Sequence, residues 1–145
     1  MAVTGVRETL AAFDRFARDS TRLAIVATAD AVQRVRAAAY AGCPVGEEPG
    51  PFPGHVRDQI RSQMVPNEPL GAVFVESRGI GGAFGTDNVG LWLEYGTVAH
   101  QVRGHSHPGT LAHPFLRPAV EAERGPYLRA LDAALDRANA LAGLR

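Results

Sequence analysis

The chain contains no lysine and a single cysteine, Cys43. One cysteine excludes an intrachain disulfide and any metal cluster held by several cysteines. All 15 basic residues other than histidine are arginines, a preference that a GC-rich coding bias explains more simply than a demand for bidentate pairing. Because 15 acidic residues balance them, the formal net charge is zero. We therefore expect no specific nucleic-acid binding, since a grip on the phosphate backbone needs clustered positive charge.

Long apolar runs are also lacking. The longest, Leu23 to Ala29, is far shorter than the roughly 20 residues of a membrane-spanning helix. Arg7 and Glu8 stand where a secretory signal needs an apolar core. We expect a protein without a membrane partner, synthesised as a soluble chain in a bacterial cytoplasm. Its 145 residues, 46% of them hydrophobic and 21% charged, suit one globular domain over residues 1–145.

The N-terminal quarter of the chain has a helical pattern. From Thr4 to Tyr40 it has no proline, one glycine, and apolar residues at three- and four-residue steps. The cluster Asp19-Ser20-Thr21 is a candidate break, because these side chains favour N-cap positions. The sequence therefore predicts two helices, about 4–19 and 20–41, or one bent helix.

The C-terminal end predicts another helix. Pro118 suits its first position, where the missing N–H is not needed. Gly125-Pro126 is expected to kink or restart this helix, and Gly143 suits its C-terminal cap.

The middle of the chain predicts loops and strands. Gly42 to Pro53 is rich in proline and glycine and is expected to form an exposed loop. Residues 56–65 fit a helical turn that passes into a strand, and Leu70 to Arg78 alternates as a half-buried strand does. Val89 to Tyr95 fits a strand or a short helix, and periodicity alone does not decide between them. The predicted fold class is α+β, with N-terminal helices, a small antiparallel sheet and a C-terminal helix packed on the sheet.

Gly79 to Gly85 follows a predicted strand and has some likeness to a dinucleotide-binding loop. Phe84 occupies the place of the third glycine, and no long helix follows. A turn or a bulged hairpin tip is the better interpretation of this segment.

Two apolar clusters, punctuated by glycine or proline, flank a polar loop in the fourth fifth of the chain. They are Leu91-Trp92-Leu93-Glu94-Tyr95-Gly96-Thr97 and Pro114-Phe115-Leu116-Arg117-Pro118-Ala119-Val120. This pair resembles the signature of the tail-component family of lambdoid siphophages, the gene-ten-like neck or tail-completion proteins. Members of that family carry an aromatic-Ala-x-x-Val-Glu-aromatic-Gly-Thr element and then Pro-Phe-Leu-Arg-Pro-Ala before a last helix. The assembly motif that the resemblance implies comprises Glu94, Tyr95, Gly96, Thr97, Pro114, Phe115, Leu116, Arg117 and Pro118.

The resemblance extends upstream with weaker elements. Gly42-Cys43-Pro44-Val45 stands where the family has an Ala-Pro-Val-type turn after a long helix, and Gly54 to Ile60 stands where it has Thr-Gly-x-Leu-Arg-x-Ser-Ile. Trp92 and Leu93 are larger than the family's usual residues, and Gly125-Pro126 interrupts the terminal helix.

The resemblance implies a structural virion protein and not an enzyme. It implies no cofactor and a homo-oligomeric ring at the head–tail junction of a tailed phage, prophage or phage-derived particle. The expected neighbours are other neck proteins, namely a head-side adaptor or stopper and a tail terminator or tail tube. DNA would pass through the ring without specific contacts.

The alternative function is a small metal-binding protein or enzyme built on a histidine-rich loop. Imidazoles from one extended segment can share a metal ion, and Glu94 or Asp87 would be a further ligand. The donors are His100, His105, His107 and His113. No complete catalytic constellation accompanies them, and Glu94 is more simply the bidentate partner of Arg117 or Arg103 than a general base.

Overall fold

A computed structural model describes residues 5–45, 56–76, 89–102 and 104–144. These residues form an α+β fold, as predicted. In chain order the elements are α1 (Val6–Gly42), a 3₁₀ turn (Val56–Gln59), β1 (Ile60–Met64), β2 (Gly71–Val75), α2 (Val89–Tyr95), β3 (His100–Val102), β4 (His105–His107) and α3 (Leu116–Ala142). The Gly79–Gly85 turn and most of the predicted proline- and glycine-rich loop lie outside the described ranges. No helix within those ranges is long and apolar enough to cross a membrane.

Helix α1 is continuous over 37 residues, so of the two predicted alternatives the pair of helices is wrong and a single helix forms. The Ser20 and Thr21 hydroxyls both donate to the carbonyl of Ala17, at 3.1 and 2.9 Å. Their hydrogen bonds therefore fold back along the same helix and do not cap a new one.

Helix α3 begins at Leu116, two residues before the predicted start at Pro118, and it continues through Pro126. It ends as predicted at Gly143, which has a φ of +73°. The Gly143 N–H donates to the Ala140 carbonyl at 3.2 Å, and the Leu144 N–H donates to the Asn139 carbonyl at 3.1 Å. These two bonds are the pattern of a Schellman cap.

The described strands form two antiparallel pairs, β1 with β2 and β3 with β4. In β2 the side chains alternate as predicted, with Val73 and Val75 half-buried and Phe74 more exposed. In the second pair His100 lies opposite His107, and Val102 lies opposite His105.

The chain divides into two compact units. Unit 1 comprises Met1–Val32, Gln63–Ala72 and Glu123–Arg145. Its buried apolar residues are small and lie on α1 and α3, among them Ala12, Ala31 and Ala138. The Thr28 hydroxyl and the Tyr127 hydroxyl share a hydrogen bond of 3.0 Å, which joins the two helices within this unit.

Unit 2 comprises Gln33–Ser62 and Val73–Ala122. The C-terminal part of α1, residues of β1 and β2, and the start of α3 contribute to its core. The last helix packs against the N-terminal helix, and its first turn lies in the same core as the strand residues. The buried core residues are Val35, Ala39, Cys43, Ile60, Phe115 and Ala119, with Val56, Val73, Val75, Leu93 and Leu116 packed against them.

Candidate functional site

The two sequence elements that carry the resemblance meet in unit 2 through one side chain, Glu94. This residue lies on α2 and is only 3% exposed. Its Oε2 accepts the N–H groups of Phe115 and Leu116, at 2.8 and 2.9 Å. Its Oε1 accepts the N–H of Arg117 at 2.9 Å. Glu94 is therefore the N-terminal cap of α3, supplied from another helix.

This cap accounts for every backbone donor that the start of α3 leaves unpaired. The N-cap residue and the first three helical residues of an α-helix have no intrahelical partner for their N–H groups. In α3 these are Phe115, Leu116, Arg117 and Pro118, and Pro118 has no N–H. Glu94 binds the other three. The helix can therefore start before Pro118, because proline is tolerated anywhere in the first turn that does not require its donor.

The environment of Glu94 keeps its carboxylate ionised. Burial by itself would raise the pKa of Glu94, but the three backbone donors, helped by the nearby charge of Arg117, hold it below the ordinary value of 4.5. A negative charge at a helix N-terminus also interacts favourably with the helix dipole. With its oxygens engaged by backbone donors, Glu94 has a structural role and is poorly suited to act as a general base.

The predicted bidentate pair between Glu94 and the Arg117 guanidinium is not formed. Both residues lie in the described ranges, and no nitrogen of the Arg117 guanidinium is within 4.0 Å of the Glu94 carboxylate. The guanidinium instead lies 5.7 Å from the ring centroid of Tyr95. The main-chain N–H groups of residues 115–117 take three of the roughly four acceptor positions of the carboxylate, and their bonds fix its orientation. The Arg117 side chain is exposed, and it makes a cation–π contact with the Tyr95 ring.

Gly96 and Thr97 fix the chain after α2. Gly96 has a φ of +73°, in the left-handed region that favours glycine. The partner of Thr97 is Thr110. The two residues exchange backbone hydrogen bonds of 2.9 and 3.2 Å, and the Thr97 Oγ1 accepts the Thr110 N–H at 3.0 Å. Sequence reasoning missed Thr110, because a partner 13 residues away leaves no local signal.

The remaining motif residues divide between core and surface. Phe115 is 2% exposed and belongs to the core of unit 2, and Leu116 packs against that core. Pro114 and Pro118 are exposed, and Tyr95 is 63% exposed. Within the motif, Glu94 and Phe115 are therefore buried, whereas Tyr95 and Arg117 are exposed to solvent.

A groove of about 660 Å³ lies beside these exposed residues, between β2, α2 and the start of α3. Its apolar lining includes Phe74, Val75, Leu91, Tyr95, Leu116 and Val120. Arg117 and Glu121 also line it. The groove can accept an apolar segment and can pair with charges of either sign at its edge.

The histidine hairpin does not assemble a metal centre from the described residues. The rings of His100 and His107 lie 4.9 Å apart, centroid to centroid. His100 Nδ1 is 2.8 Å from the Val98 carbonyl, and His107 Nδ1 accepts the Gly109 N–H at 3.0 Å. A neutral His107 that accepts at Nδ1 carries its proton on Nε2, so it lacks a free lone pair for a metal. No three His, Cys, Asp or Glu side chains in the described ranges are grouped as metal ligands.

The other predicted metal donors lie elsewhere. His105 is paired with Val102 at the end of the hairpin, and the main chain of His113 donates to the Leu93 carbonyl at 2.7 Å. The Glu94 carboxylate serves as the helix cap, and Asp87 lies outside the described residues.

Cys43 is expected to react slowly with thiol reagents in the native protein. It is 3% exposed, and burial raises the pKa of its thiol to about 11, partly opposed by the charge of Arg57. Labelling with an aromatic disulfide at pH 8 should be at least about tenfold slower in buffer than in denaturant, because the thiolate is the reacting species. Equal rates in the two solvents would contradict the buried position of Cys43.

The fold and the geometry of the Glu94 cap are observed in this chain alone. The chain matches no family model, no curated protein sequence and no solved structure.

Proposed function

We propose that the chain is a structural virion protein at the head–tail junction of a tailed phage, prophage or phage-derived particle. It acts in neck formation or tail completion as a homo-oligomeric ring. One face of the ring meets a head-side adaptor or stopper, and the other meets a tail terminator or tail tube. The observation that carries this proposal is the Glu94 cap, which makes one physical unit of the elements at 94–97 and 114–118.

The cap gives the resemblance a physical basis. A glutamate on one helix, a glycine turn after it, and a Phe-Leu-Arg-Pro start of the next helix depend on one another for their hydrogen bonds. Residues that are 21 to 23 positions apart therefore form one hydrogen-bonded unit. The joint arrangement therefore supports the proposal more strongly than either element alone.

The same unit offers a surface suited to assembly. Tyr95 and Arg117 are exposed beside the groove, and these residue types are enriched among the residues that dominate interface energies. Both side chains are attached to backbone that the Glu94 cap holds in place. Little conformational entropy is then lost when a neighbouring protein binds. In a ring the contacts between subunits are heterologous and close around a rotation axis.

Replacing Arg117 by alanine tests the assembly role of this surface. The free energy of unfolding should change by less than about 1 kcal/mol, because the side chain is exposed and makes a weak cation–π contact. In cells that produce the particle, heads and tails should accumulate separately. Arg117→Lys should also impair joining, since lysine keeps the charge but loses the planar guanidinium.

Arg137→Ala is the matched control, because Arg137 is another exposed arginine on α3. It should leave joining intact. Fully infectious Arg117→Ala particles would contradict the proposed role of this surface. Portal, capsid and tail-tube genes beside the coding gene would support the proposal, and an operon of metabolic enzymes would argue for an enzyme.

A further inference from the structure

The N-terminal half of α1 carries an apolar stripe that unit 1 leaves uncovered. Val6, Leu10 and Phe13 are 48%, 60% and 55% exposed. Their spacing of four and three residues places them on one face of the helix, and Ala17 follows on the same face. We name Val6, Leu10, Phe13 and Ala17 the α1 stripe.

The same face is covered further along the helix. Ala17, Ala24 and Ala31 follow each other at seven-residue intervals, and they are exposed, half-buried and 6% exposed in turn. The α1 stripe advances in steps of four and three residues, and these alanines continue it at intervals of seven. Such a repeat is the pattern of a coiled-coil seam. The seam is therefore buried inside unit 1 at one end and is exposed at the other.

Charged residues border the α1 stripe on one side only. Arg7 and Asp14 lie seven residues apart on that border, and both are exposed. Neither forms an ion pair with another residue of the described ranges. On the opposite border lie the uncharged Thr9, which is exposed, and Phe16, which is half-buried.

We propose that the α1 stripe binds the same stripe of a second copy of this chain, with the two helices antiparallel about a two-fold axis. In this register Leu10 packs against Phe13 of the second copy, and Val6 packs against Ala17. The two large side chains, Leu10 and Phe13, then pack together, and the smaller Val6 and Ala17 pack together. Arg7 lies opposite Asp14 of the second copy, and the symmetry repeats this ion pair.

Charge decides the orientation. In an antiparallel helix pair the same border of each helix faces the other, which brings Arg7 and Asp14 of different copies together. In a parallel pair each border faces the opposite border, where Thr9 and Phe16 lie, so both charges lose their partner. The contact is isologous and is complete with two copies. It does not depend on the proposed role in a particle, whose ring contacts are heterologous.

Two charge-reversal variants of the full chain test the pairing by sedimentation equilibrium from about 1 µM to about 1 mM. Asp14→Arg makes the border wholly positive, and Arg7→Glu makes it wholly negative. Each variant alone should dimerise at least about tenfold more weakly than the parent chain, because two attractive pairs become repulsive. An equimolar mixture should recover dimers, since each variant then faces a border of opposite charge.

Arg15→Glu is the matched control, because Arg15 is exposed on the opposite face of α1. It should dimerise as the parent does, and all variants should keep the parent's circular dichroism and melting temperature. A parent chain that stays monomeric throughout this range would overturn the proposal. So would association that neither reversal weakens, or a mixture that associates no better than the separate variants.

Discussion

Replacing Glu94 by alanine should lower the free energy of unfolding by about 4 kcal/mol. Three backbone donors at 2.8 to 2.9 Å would lose their acceptor in a region where Glu94 is 3% exposed. Each buried donor left without a partner costs about 1 to 3 kcal/mol, and part of this cost is relieved if water enters. A loss of this size is a large fraction of the free energy of unfolding of a typical native protein, which is roughly 5 to 15 kcal/mol.

Glu94→Gln separates the role of the charge from the role of the shape. The amide keeps one acceptor oxygen but places an NH₂ group against a backbone N–H, so a loss of about 2 kcal/mol is expected. Glu121→Gln removes an exposed carboxylate nearby and should change stability by less than about 0.5 kcal/mol. Urea unfolding followed by circular dichroism at pH 7 measures all three. Equal stabilities for Glu94→Gln and Glu121→Gln would show that Glu94 does not cap α3.

The advantage of the parent over Glu94→Gln should also depend on pH. The folded protein lowers the pKa of Glu94 below its ordinary value of 4.5. The stability from this carboxylate is therefore fully present above pH 4.5 and is lost as the pH falls through the lower folded-state pKa. The difference between the two unfolding free energies should be constant near neutral pH and should shrink in acid. A difference that grows below pH 4.5 would contradict the cap.

Gly96→Ala should be the other strongly destabilising substitution, by about 3 kcal/mol. A β-carbon at Gly96 would lie 2.7 Å from the Thr110 carbonyl oxygen and 2.9 Å from the Ala112 nitrogen, and both atoms belong to the backbone. The segment that carries the Thr97–Thr110 bridge would have to move, and its hydrogen bonds would weaken. The positive φ of +73° adds roughly 1 kcal/mol of strain for a residue with a β-carbon.

Gly104→Ala is the control that isolates the backbone strain. Gly104 has a φ of +79°, and no described residue lies within 4 Å of a β-carbon built there. It should cost only about 1 kcal/mol. Thermal and urea unfolding of the two variants give the comparison. If both cost the same, the close approach of residues 96 and 110 is not what requires glycine at Gly96.

Local patterns in the sequence predicted the local features of the fold. The alternation of Val73, Phe74 and Val75 and the glycine cap at Gly143 are confirmed. In each case the physical cause lies within a few residues of its effect. The proposed break near Ser20 was wrong because the same hydroxyl groups can cap a new helix or bond back within an existing one.

The candidate site could be predicted only in part, because its main bonds join distant residues. Sequence reasoning selected Glu94 and Arg117 and expected their side chains to pair. The structure joins them through the main-chain N–H of Arg117, and a side-chain pattern cannot reveal a backbone donor. The start of α3 was misplaced for the same reason, since its cap comes from 21 to 23 residues upstream. A buried glutamate 24 residues before a first-turn proline is recognisable only once the chain is folded.

Reconstruction of purified particles from the producing host tests the proposed function most directly. The account predicts density for this chain in a symmetric ring between the head connector and the tail tube, with Tyr95 and Arg117 at a contact with a neighbouring protein. Cross-links from this chain should then reach neck or tail proteins. Particles that contain none of this chain, with the protein found only free in the cytosol of producing cells, would contradict the account.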